Sequence, residues 1–399
     1  MKGKWLAVVL AAVLFSGMRF GAQESPPQAP APPPGDQVQE TPPPPSLNRQ
    51  LYQAVAQGRA DDVRALLTAG ANPNNALFVA AMNGQAECLK ILIDAGAALA
   101  GPEKQGLLAL SMAIYSSNNK VREGMGKRRA ERLGKGLTAA QDGGGYDEII
   151  KVLLEHGVPT DFVDEQGVTP LWQASMYGNV TAVSLLLEHG ASVDREMQHG
   201  VGTALFTAAQ FGHGAVVELL LKAGASPDKM PSPPGTEEGA SPDKEAMFKS
   251  TPLLVASCGG EHIAFALAMG GEAKGYEFMD SVTGGDYLQA VRALLKAGAD
   301  PNLPNEKDIT PLMAASLAGS LDITTVLLDA GADPNLRDKE GRTALMFAAK
   351  SGVPALVELL LSKNADPKAV ALDGKTALSI ARGGKSRETV KLLQNALKH

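Results

Sequence analysis

A glycine-rich segment near the C-terminal end of the chain has residue types that could bind phosphate. Gly383-Gly384-Lys385-Ser386 matches the last part of a phosphate-binding loop, in which backbone N–H groups and a lysine hold phosphate oxygens. The complete motif requires a further glycine at the position of Ser379, and no strand pattern precedes the segment. We therefore interpret the segment as a break between two helices and not as a nucleotide site.

A thiol and an imidazole lie close together at Cys258 and His262, as a cysteine nucleophile and its base would. Nucleophilic catalysis also requires a third group that orients the base, and the pattern offers none. Cys258 and Cys88 are therefore predicted to be buried free thiols that pack in the core. No HExxH, GxSxG or GxGxxG motif occurs. The sequence predicts no enzyme, no metal site and no cofactor.

Two histidines, His156 and His189, each stand directly before a glycine, at equivalent positions of a repeated pattern. Imidazolium groups complement the negative end of a helix dipole. We expect these residues at helix C-termini and not in a shared zinc site.

The charge of the chain argues against nucleic acid as a partner. Its 399 residues carry 37 Lys and Arg against 43 Asp and Glu, a net charge of −6. Binding to nucleic acid depends on basic side chains that neutralise phosphates. With 44% hydrophobic residues the chain has enough apolar material for a folded core.

The first 46 residues have the features of an export signal followed by a spacer. Lys2 and Lys4 precede an apolar run over residues 5–15, which is the length of a signal-peptide core and too short to span a bilayer. We expect a signal peptide over residues 1–22, with an uncleaved membrane anchor as the alternative. Residues 23–46 are rich in proline and are predicted to form an extended linker. No transmembrane helix is predicted, and we expect a periplasmic or secreted monomer.

From residue 47 onward the sequence repeats with a period near 33 residues. Thr-Pro-Leu or Thr-Ala-Leu recurs, and an Ala follows three residues after each Leu. These three-residue segments begin at Thr169, Thr203, Thr251, Thr310, Thr343 and Thr376. Thr is a good helix N-cap, and Leu with Ala three residues later forms one buried stripe. A glycine ends this first helix, a second apolar helix follows, and Gly or Asn ends that helix in turn. One pair cannot bury its own apolar face, so the pairs must stack.

This pattern resembles the ankyrin repeat family over roughly residues 47–399. Nine units align by their first-helix leucines, which predicts an all-α solenoid of about nine helix-turn-helix units. The family's usual His after Thr-Pro-Leu is absent, and Trp172 and Phe206 occupy two of the vacated positions. The resemblance implies that the chain binds a protein through its concave first-helix positions and its fingers, the loops that join successive pairs. It also implies a non-catalytic role.

Departures from the period predict three insertions, at about residues 117–144, 229–249 and 260–285. The first has a net charge of +4, and the third has a net charge of −3. Arg128, Arg129 and Arg132 in the first insertion could dock an acidic partner or an anionic envelope surface. A solvated loop is the simpler interpretation of this insertion, and it is the one that we favour.

The resemblance places candidate partner contacts on the first helices and on the fingers. Tyr177 and Phe211 rank first, because no packing role is evident for either, and their joint replacement by alanine is expected to abolish partner capture without lowering thermal stability. The full set of candidates is Tyr177, Phe211, Met176, Gln210, Trp172, Phe206, Val168, Glu165, Ile309 and Arg342. The fingers also include Lys307, Lys339 and Glu340. The leading hypothesis is an exported protein-binding scaffold, and the alternative is a secreted effector or inhibitor that blocks a foreign or competing protein.

Overall fold

The computed structural model describes most of the repeat region. The described residues are 45–74, 76–100, 105–117, 145–164, 167–197, 202–231, 250–259, 285–384 and 386–398. The predicted signal peptide lies outside these residues, as do nearly all of the proline-rich linker and of the three insertions, including Arg128, Arg129 and Arg132.

Within the described residues the chain forms nine pairs of helices, which confirms the predicted number of units. The first helices of the pairs are α1 (Leu47–Ala56), α3 (Ala76–Asn83), α5 (Gln105–Ser117), α7 (Pro170–Met176), α9 (Ala204–Gln210), α11 (Pro252–Ser257), α13 (Pro311–Ala318), α15 (Ala344–Ser351) and α17 (Ala377–Gly383). The second helices are α2 (Ala60–Thr68), α4 (Ala86–Asp94), α6 (Gly145–Glu155), α8 (Val180–Glu188), α10 (Gly214–Lys222), α12 (Tyr287–Lys296), α14 (Leu321–Asp329), α16 (Pro354–Ser362) and α18 (Arg387–Ala396).

The repeated threonines begin the first helices as predicted. Five of the six hydroxyls accept a hydrogen bond from the backbone N–H three residues later, over 3.1 Å to 3.3 Å. The exception is Thr343, which stands at the same position of α15 but makes no such bond. The caps satisfy backbone donors that would otherwise be left without a partner at the helix start.

Left-handed residues end the helices, which also confirms the sequence prediction. Gly212 ends the first helix of its pair with a φ of +68°, and Gly352 ends an equivalent helix with a φ of +75°. Asn364 takes the same role after α16 with a φ of +64°. Only glycine adopts this conformation without a steric cost, and Asn tolerates it best among the other residues.

The described helices belong to two compact units, of which one contains α1–α6 and the other α7–α18. In the larger unit each first helix packs against the next first helix, and each second helix packs against the next second helix. The repeated leucines fill the core between these layers. Leu205, Leu253, Leu312 and Leu345 are fully buried.

A short antiparallel strand pair was not predicted. Strand β1 (Glu196–Met197) pairs with β2 (Gly202–Thr203), and Glu196 lies opposite Thr203. The pair lengthens the finger that leads into α9, and it buries Met197 against the repeat.

A ladder of side-chain hydrogen bonds connects consecutive repeats. In each step an Asn or Asp side-chain oxygen accepts the backbone N–H of the residue at the equivalent turn one repeat later. The bonds run from Asn72 to Asn48, Ala98 to Asn74, Ser192 to Asp161, Ser226 to Asp194, Asp300 to Asp228, Asp333 to Asn302 and Asp366 to Asn335. The ladder satisfies one backbone donor at each of these seven junctions, and so fixes the spacing of the turns that it joins.

Asp228 is the step of the ladder at which a carboxylate is unfavourable. Burial raises the pKa of the Asp228 carboxyl, and the nearby Asp300 carboxylate also raises it, although the N–H of Asp300 donates to Asp228 and acts in the opposite direction. Because the folded-state pKa is raised, the folded chain binds this proton at a higher pH than the unfolded chain does. The contribution of Asp228 to stability therefore increases as the pH falls through its folded-state pKa.

Asp228→Asn is expected to raise the free energy of unfolding at pH 7 by up to about 0.5 kcal/mol. The amide keeps an oxygen that accepts the Asp300 N–H, and it removes the ionised group. Urea denaturation at pH 7 and at about pH 4.5 measures the effect, and the variant should lose the part of the acid-induced stabilisation that Asp228 supplies. The reciprocal control, Asn302→Asp, should lower stability at pH 7. A variant at Asp228 that is less stable than the parent at pH 7 would contradict this assignment.

Candidate protein-binding surface

The four aromatic side chains predicted to cluster near the concave face are buried. Trp172, Tyr177, Phe206 and Phe211 are 4%, 7%, 2% and 3% exposed. Burial of Trp172 and Phe206 agrees with their place in the vacated histidine position. The expectation that Tyr177 and Phe211 have no packing role is wrong, because both side chains belong to the core. As contacts for a partner they stay a prediction, and their burial does not support it.

The surroundings of Phe206 and Phe211 explain why these rings are covered. A Cβ atom built on Gly202 would lie 3.1 Å from the ring of Phe206 and 3.0 Å from Pro231, so the finger closes directly over this ring. Phe211 lies beside His213, with 6.4 Å between the ring centroids. Phe206 therefore fills space between its finger and the first helix. Phe211 fills space between the first helix and the start of the second helix.

Met176 and Gln210 are also buried, and their backbone carbonyl groups receive hydrogen bonds from the next repeat. The donors are aromatic or imidazole side chains at the start of second helices, which sequence analysis did not identify. The bonds join His213 Nε2 to the carbonyl of Met176 (3.0 Å), Tyr287 Oη to that of Gln210 (3.3 Å) and, in the smaller unit, Tyr146 Oη to that of Met82 (3.3 Å). The end of the first helix is thus a junction between repeats.

The fingers are closed by local hydrogen bonds that turn two of the predicted contact residues inward. The N–H of Val168 donates to Asp164 Oδ1, and the N–H of Ile309 donates to Asn305 Oδ1. The side chains of Val168 and Ile309 are buried, so neither presents an apolar surface to solvent. Glu165 lies outside the described residues.

Arg342 holds its own finger together. Its Nε lies 2.7 Å from the Asp338 carboxylate, its Nη1 lies 2.8 Å from the Glu340 carboxylate, and its guanidinium lies 4.9 Å from the centre of the Phe347 ring. The Asp338 carboxylate also accepts the backbone N–H of Arg342. Much of the capacity of Arg342 to donate hydrogen bonds is therefore used within the repeat.

Three successive fingers, at residues 305–309, 338–342 and 371–375, are joined edge to edge by backbone hydrogen bonds. The N–H of Lys339 donates to the carbonyl of Lys307 over 3.1 Å, and the N–H of Leu372 donates to the carbonyl of Glu340 over 2.9 Å. Arg337 adds a bond from Nη1 to the carbonyl of Val370. Three loops thereby form one connected surface whose side chains have fixed spacing.

The tips of these three fingers are exposed. We define the finger surface as Lys307, Asp308, Lys339, Glu340 and Leu372, which all belong to the exposed class. Leu372 is 81% exposed, which is more than any other large apolar side chain on the surface of the described residues. The surface combines one apolar side chain with alternating basic and acidic groups, which can desolvate one contact and orient a partner by charge. Sequence analysis named Lys307, Lys339 and Glu340 but not Leu372.

The two histidines of the repeated pattern end their helices as predicted. Nδ1 of His156 lies 2.8 Å from the carbonyl of Val152, and Nδ1 of His189 lies 2.8 Å from that of Leu185. Cys88 and Cys258 are buried free thiols, and burial raises the pKa of Cys88. In the described ranges no cluster of three or more His, Cys, Asp or Glu could hold a metal ion. Nor does any helix in that part of the chain have the length and apolar character to cross a membrane.

Comparisons with known proteins identify the repeat type. A family model described as ankyrin repeats in three copies matches residues 51–124, 137–230, 278–371 and 312–398. The B-cell lymphoma 3 protein homolog of Mus musculus is 29% identical over an alignment of 162 residues that covers 38% of this chain. The chain spans only 30% of the length of that curated relative.

Two solved structures are similar to the model at lower identity. The human ASB11 ankyrin repeat domain is 24% identical with a TM-score of 0.48, and the match covers 63% of this chain and 92% of that domain. The ankyrin repeat domain of Bcl-3 is 24% identical with a TM-score of 0.43, and covers 62% of this chain and 93% of that domain.

Proposed function

Because this chain belongs to the ankyrin repeat family, whose members are generally non-catalytic protein-binding scaffolds, we propose that it binds a protein partner through the finger surface. The observation that supports this placement is the edge-to-edge joining of three fingers, which holds exposed Leu372 beside Lys339 and Glu340. The concave positions near Tyr177 and Phe211 are a weaker choice, because their side chains are buried. The proposal moves the main contact from the first helices to the fingers.

We further propose that this binding takes place outside the cytoplasm. Lys2, Lys4 and the apolar run over residues 5–15 support export, and the proline-rich residues 23–46 suit a spacer between a membrane and the folded repeats. Stoichiometric capture of a periplasmic or secreted partner is the role that we favour. Action as a secreted effector on a foreign protein is the alternative, and recovery of the chain only in the periplasm would exclude it.

The double variant Leu372→Glu with Lys339→Glu is expected to reduce partner capture about tenfold or more, because it places charge at the exposed apolar contact and reverses the neighbouring charge. The measurement is crosslinking of the full-length chain in intact cells, followed by fractionation and quantitative mass spectrometry of the captured proteins. The parent chain should recover the same crosslinked partner from a compartment outside the cytoplasm in repeated experiments.

The matched control changes the same residue types outside the fingers. Leu321→Glu with Lys296→Glu alters an exposed leucine on α14 and an exposed lysine on α12, and should leave capture within about twofold. Equal capture by the finger variant and the control would exclude the finger surface. Recovery of the chain only from the cytoplasm would exclude the export half of the proposal.

A further inference from the structure

The C-terminal segment over residues 363–399, which contains the last helix pair, has a charge opposite to that of the chain as a whole. Residues 363–399 contain eight Lys and Arg against three Asp and Glu, whereas residues 1–362 contain 29 against 40. The basic excess of +5 therefore lies in a segment of 37 residues within a chain of net charge −6. Whole-chain composition conceals this separation.

Helix α18 arranges part of this charge in a line. Arg387 and Lys391 lie four residues apart on one face of α18, and Lys398 follows in the turn directly after the helix, seven residues beyond Lys391. All three are exposed, whereas Thr389 and Leu393 on the opposite face are buried against the repeat. The basic stripe, as we call these three residues, therefore points away from the core.

The basic stripe is not neutralised by the rest of the described chain. Lys363, at the end of α16, and Lys375, in the finger before α17, form ion pairs with Asp329 and Asp373, but none of the three stripe residues has a carboxylate within 4.0 Å in the part of the chain that the structure describes. Lys398 donates only to the side chain of Asn395, over 3.4 Å. The field of the stripe is available to an external anion.

The composition of residues 363–399 favours an extended anionic surface as the partner, over a specific protein or a nucleic acid. Six of its eight basic residues are Lys, which is depleted in protein–protein interfaces, and residues 363–399 contain no aromatic anchor. The same absence of aromatic residues removes the stacking on which single-stranded nucleic acid binding depends. A lipid bilayer needs neither a pocket nor a stacking partner, since lysines near an anionic leaflet act additively.

We propose that the basic stripe of α18 docks on an anionic lipid bilayer. The contact is electrostatic and reversible, and it involves a surface other than the finger surface. It does not depend on the protein partner proposed above, because α18 carries the stripe on its own solvent face.

The full-length chain should sediment with vesicles of phosphatidylcholine containing about one third phosphatidylglycerol, and more weakly with phosphatidylcholine alone. The variant Arg387→Glu, Lys391→Glu and Lys398→Glu should reduce partitioning onto the anionic vesicles on the order of 100-fold, since each basic side chain contributes roughly fivefold. Its binding to phosphatidylcholine should not change. Added salt should weaken binding of the parent chain more than that of the variant.

A second triple variant controls for total charge. Lys222→Glu, Arg292→Glu and Lys296→Glu reverses three exposed basic residues on α10 and α12 and should leave the partition coefficient within about threefold of the parent value. The neutral variant Arg387→Gln, Lys391→Gln and Lys398→Gln keeps good helix formers and should also lose on the order of 100-fold, because it removes the same three contributions, and circular dichroism checks that it remains folded. Equal partitioning of the α18 and control variants would overturn the proposal. So would a loss of binding to poly-glutamate or duplex DNA in the α18 variant without a loss of vesicle binding.

Discussion

Replacement of Tyr177 and Phe211 by alanine is expected to destabilise the chain strongly. Truncation of a buried phenylalanine costs about 3–5 kcal/mol, because apolar contacts are lost and a cavity remains. Phe211 is 3% exposed and lies beside His213, and Tyr177 is 7% exposed. Two such losses are comparable with the total stability of a typical folded domain, which is about 5–15 kcal/mol. We expect a large decrease in the urea midpoint for each single variant and loss of the folded repeats in the double variant.

Val180→Ala supplies the matched control in the same repeat as Tyr177. Val180 is 44% exposed at the first position of α8, so its truncation should change the free energy of unfolding by less than about 0.5 kcal/mol. Circular dichroism during urea denaturation measures the free energy of unfolding of Tyr177→Ala, of Phe211→Ala, of the double variant and of the Val180→Ala control. A double variant that melts like the parent would show that the two rings are not part of the core. Otherwise, a loss of partner capture in this variant reports unfolding and cannot locate a binding site.

The repeats could be predicted from sequence because their signals are local. A threonine followed by Pro-Leu specifies a helix start within four residues, and a glycine after the helix specifies a left-handed end. Such features do not depend on neighbouring repeats, so the positions of Thr310 and Gly319 agree with the structure. Stacking then follows from the inability of one pair to bury its own leucines.

The exposure of individual side chains could not be predicted in the same way, because it depends on parts of the chain that are distant in sequence. Phe206 is covered by its own finger at Gly202, and nothing in the helix pattern around Phe206 indicates this contact. The hydrogen bond of Tyr287 could not be predicted either, because its partner is distant in sequence. Its hydroxyl donates to the carbonyl of Gln210, 77 residues earlier, and two insertions separate these residues in sequence.

The ladder of side-chain hydrogen bonds has a signature in the sequence that the predictions did not include. Asn302 and Asp333 are 31 residues apart, and so are Asn335 and Asp366. The Asp-Pro-Asn segments form turns, in one of which the N–H of Asn335 donates to Asp333 Oδ1. These segments also connect repeats, because the Asn side-chain oxygen of one turn accepts a hydrogen bond from a backbone N–H of the next turn. The repeat of polar residues therefore encodes contacts between units as well as the shape of each turn.

Gly212→Ala is the second variant for which we expect a large effect, because it combines backbone strain with a steric clash. Gly212 has a φ of +68°, and a left-handed conformation costs an alanine roughly 1–2 kcal/mol. A Cβ atom at this position would also lie 2.8 Å from two atoms of the Tyr287 ring. Tyr287 is buried and its hydroxyl donates to the carbonyl of Gln210, so the ring cannot move aside freely. Overpacking of this kind adds about 1–3 kcal/mol.

Gly352→Ala separates the two causes, because Gly352 stands at the equivalent position and has a φ of +75°, but its nearest atom to a new Cβ is 3.9 Å away. This control should show the backbone cost alone, of about 1–2 kcal/mol, whereas Gly212→Ala should lose about 2–5 kcal/mol in total. In a Tyr287→Ala background the cost of Gly212→Ala should fall to that of the control, and the cycle of four proteins measures the coupling. Equal losses for Gly212→Ala and Gly352→Ala would mean that Tyr287 does not pack on this glycine. A coupling of about 1–3 kcal/mol would establish that Gly212 is required for the close approach of the next unit as well as for the helix end.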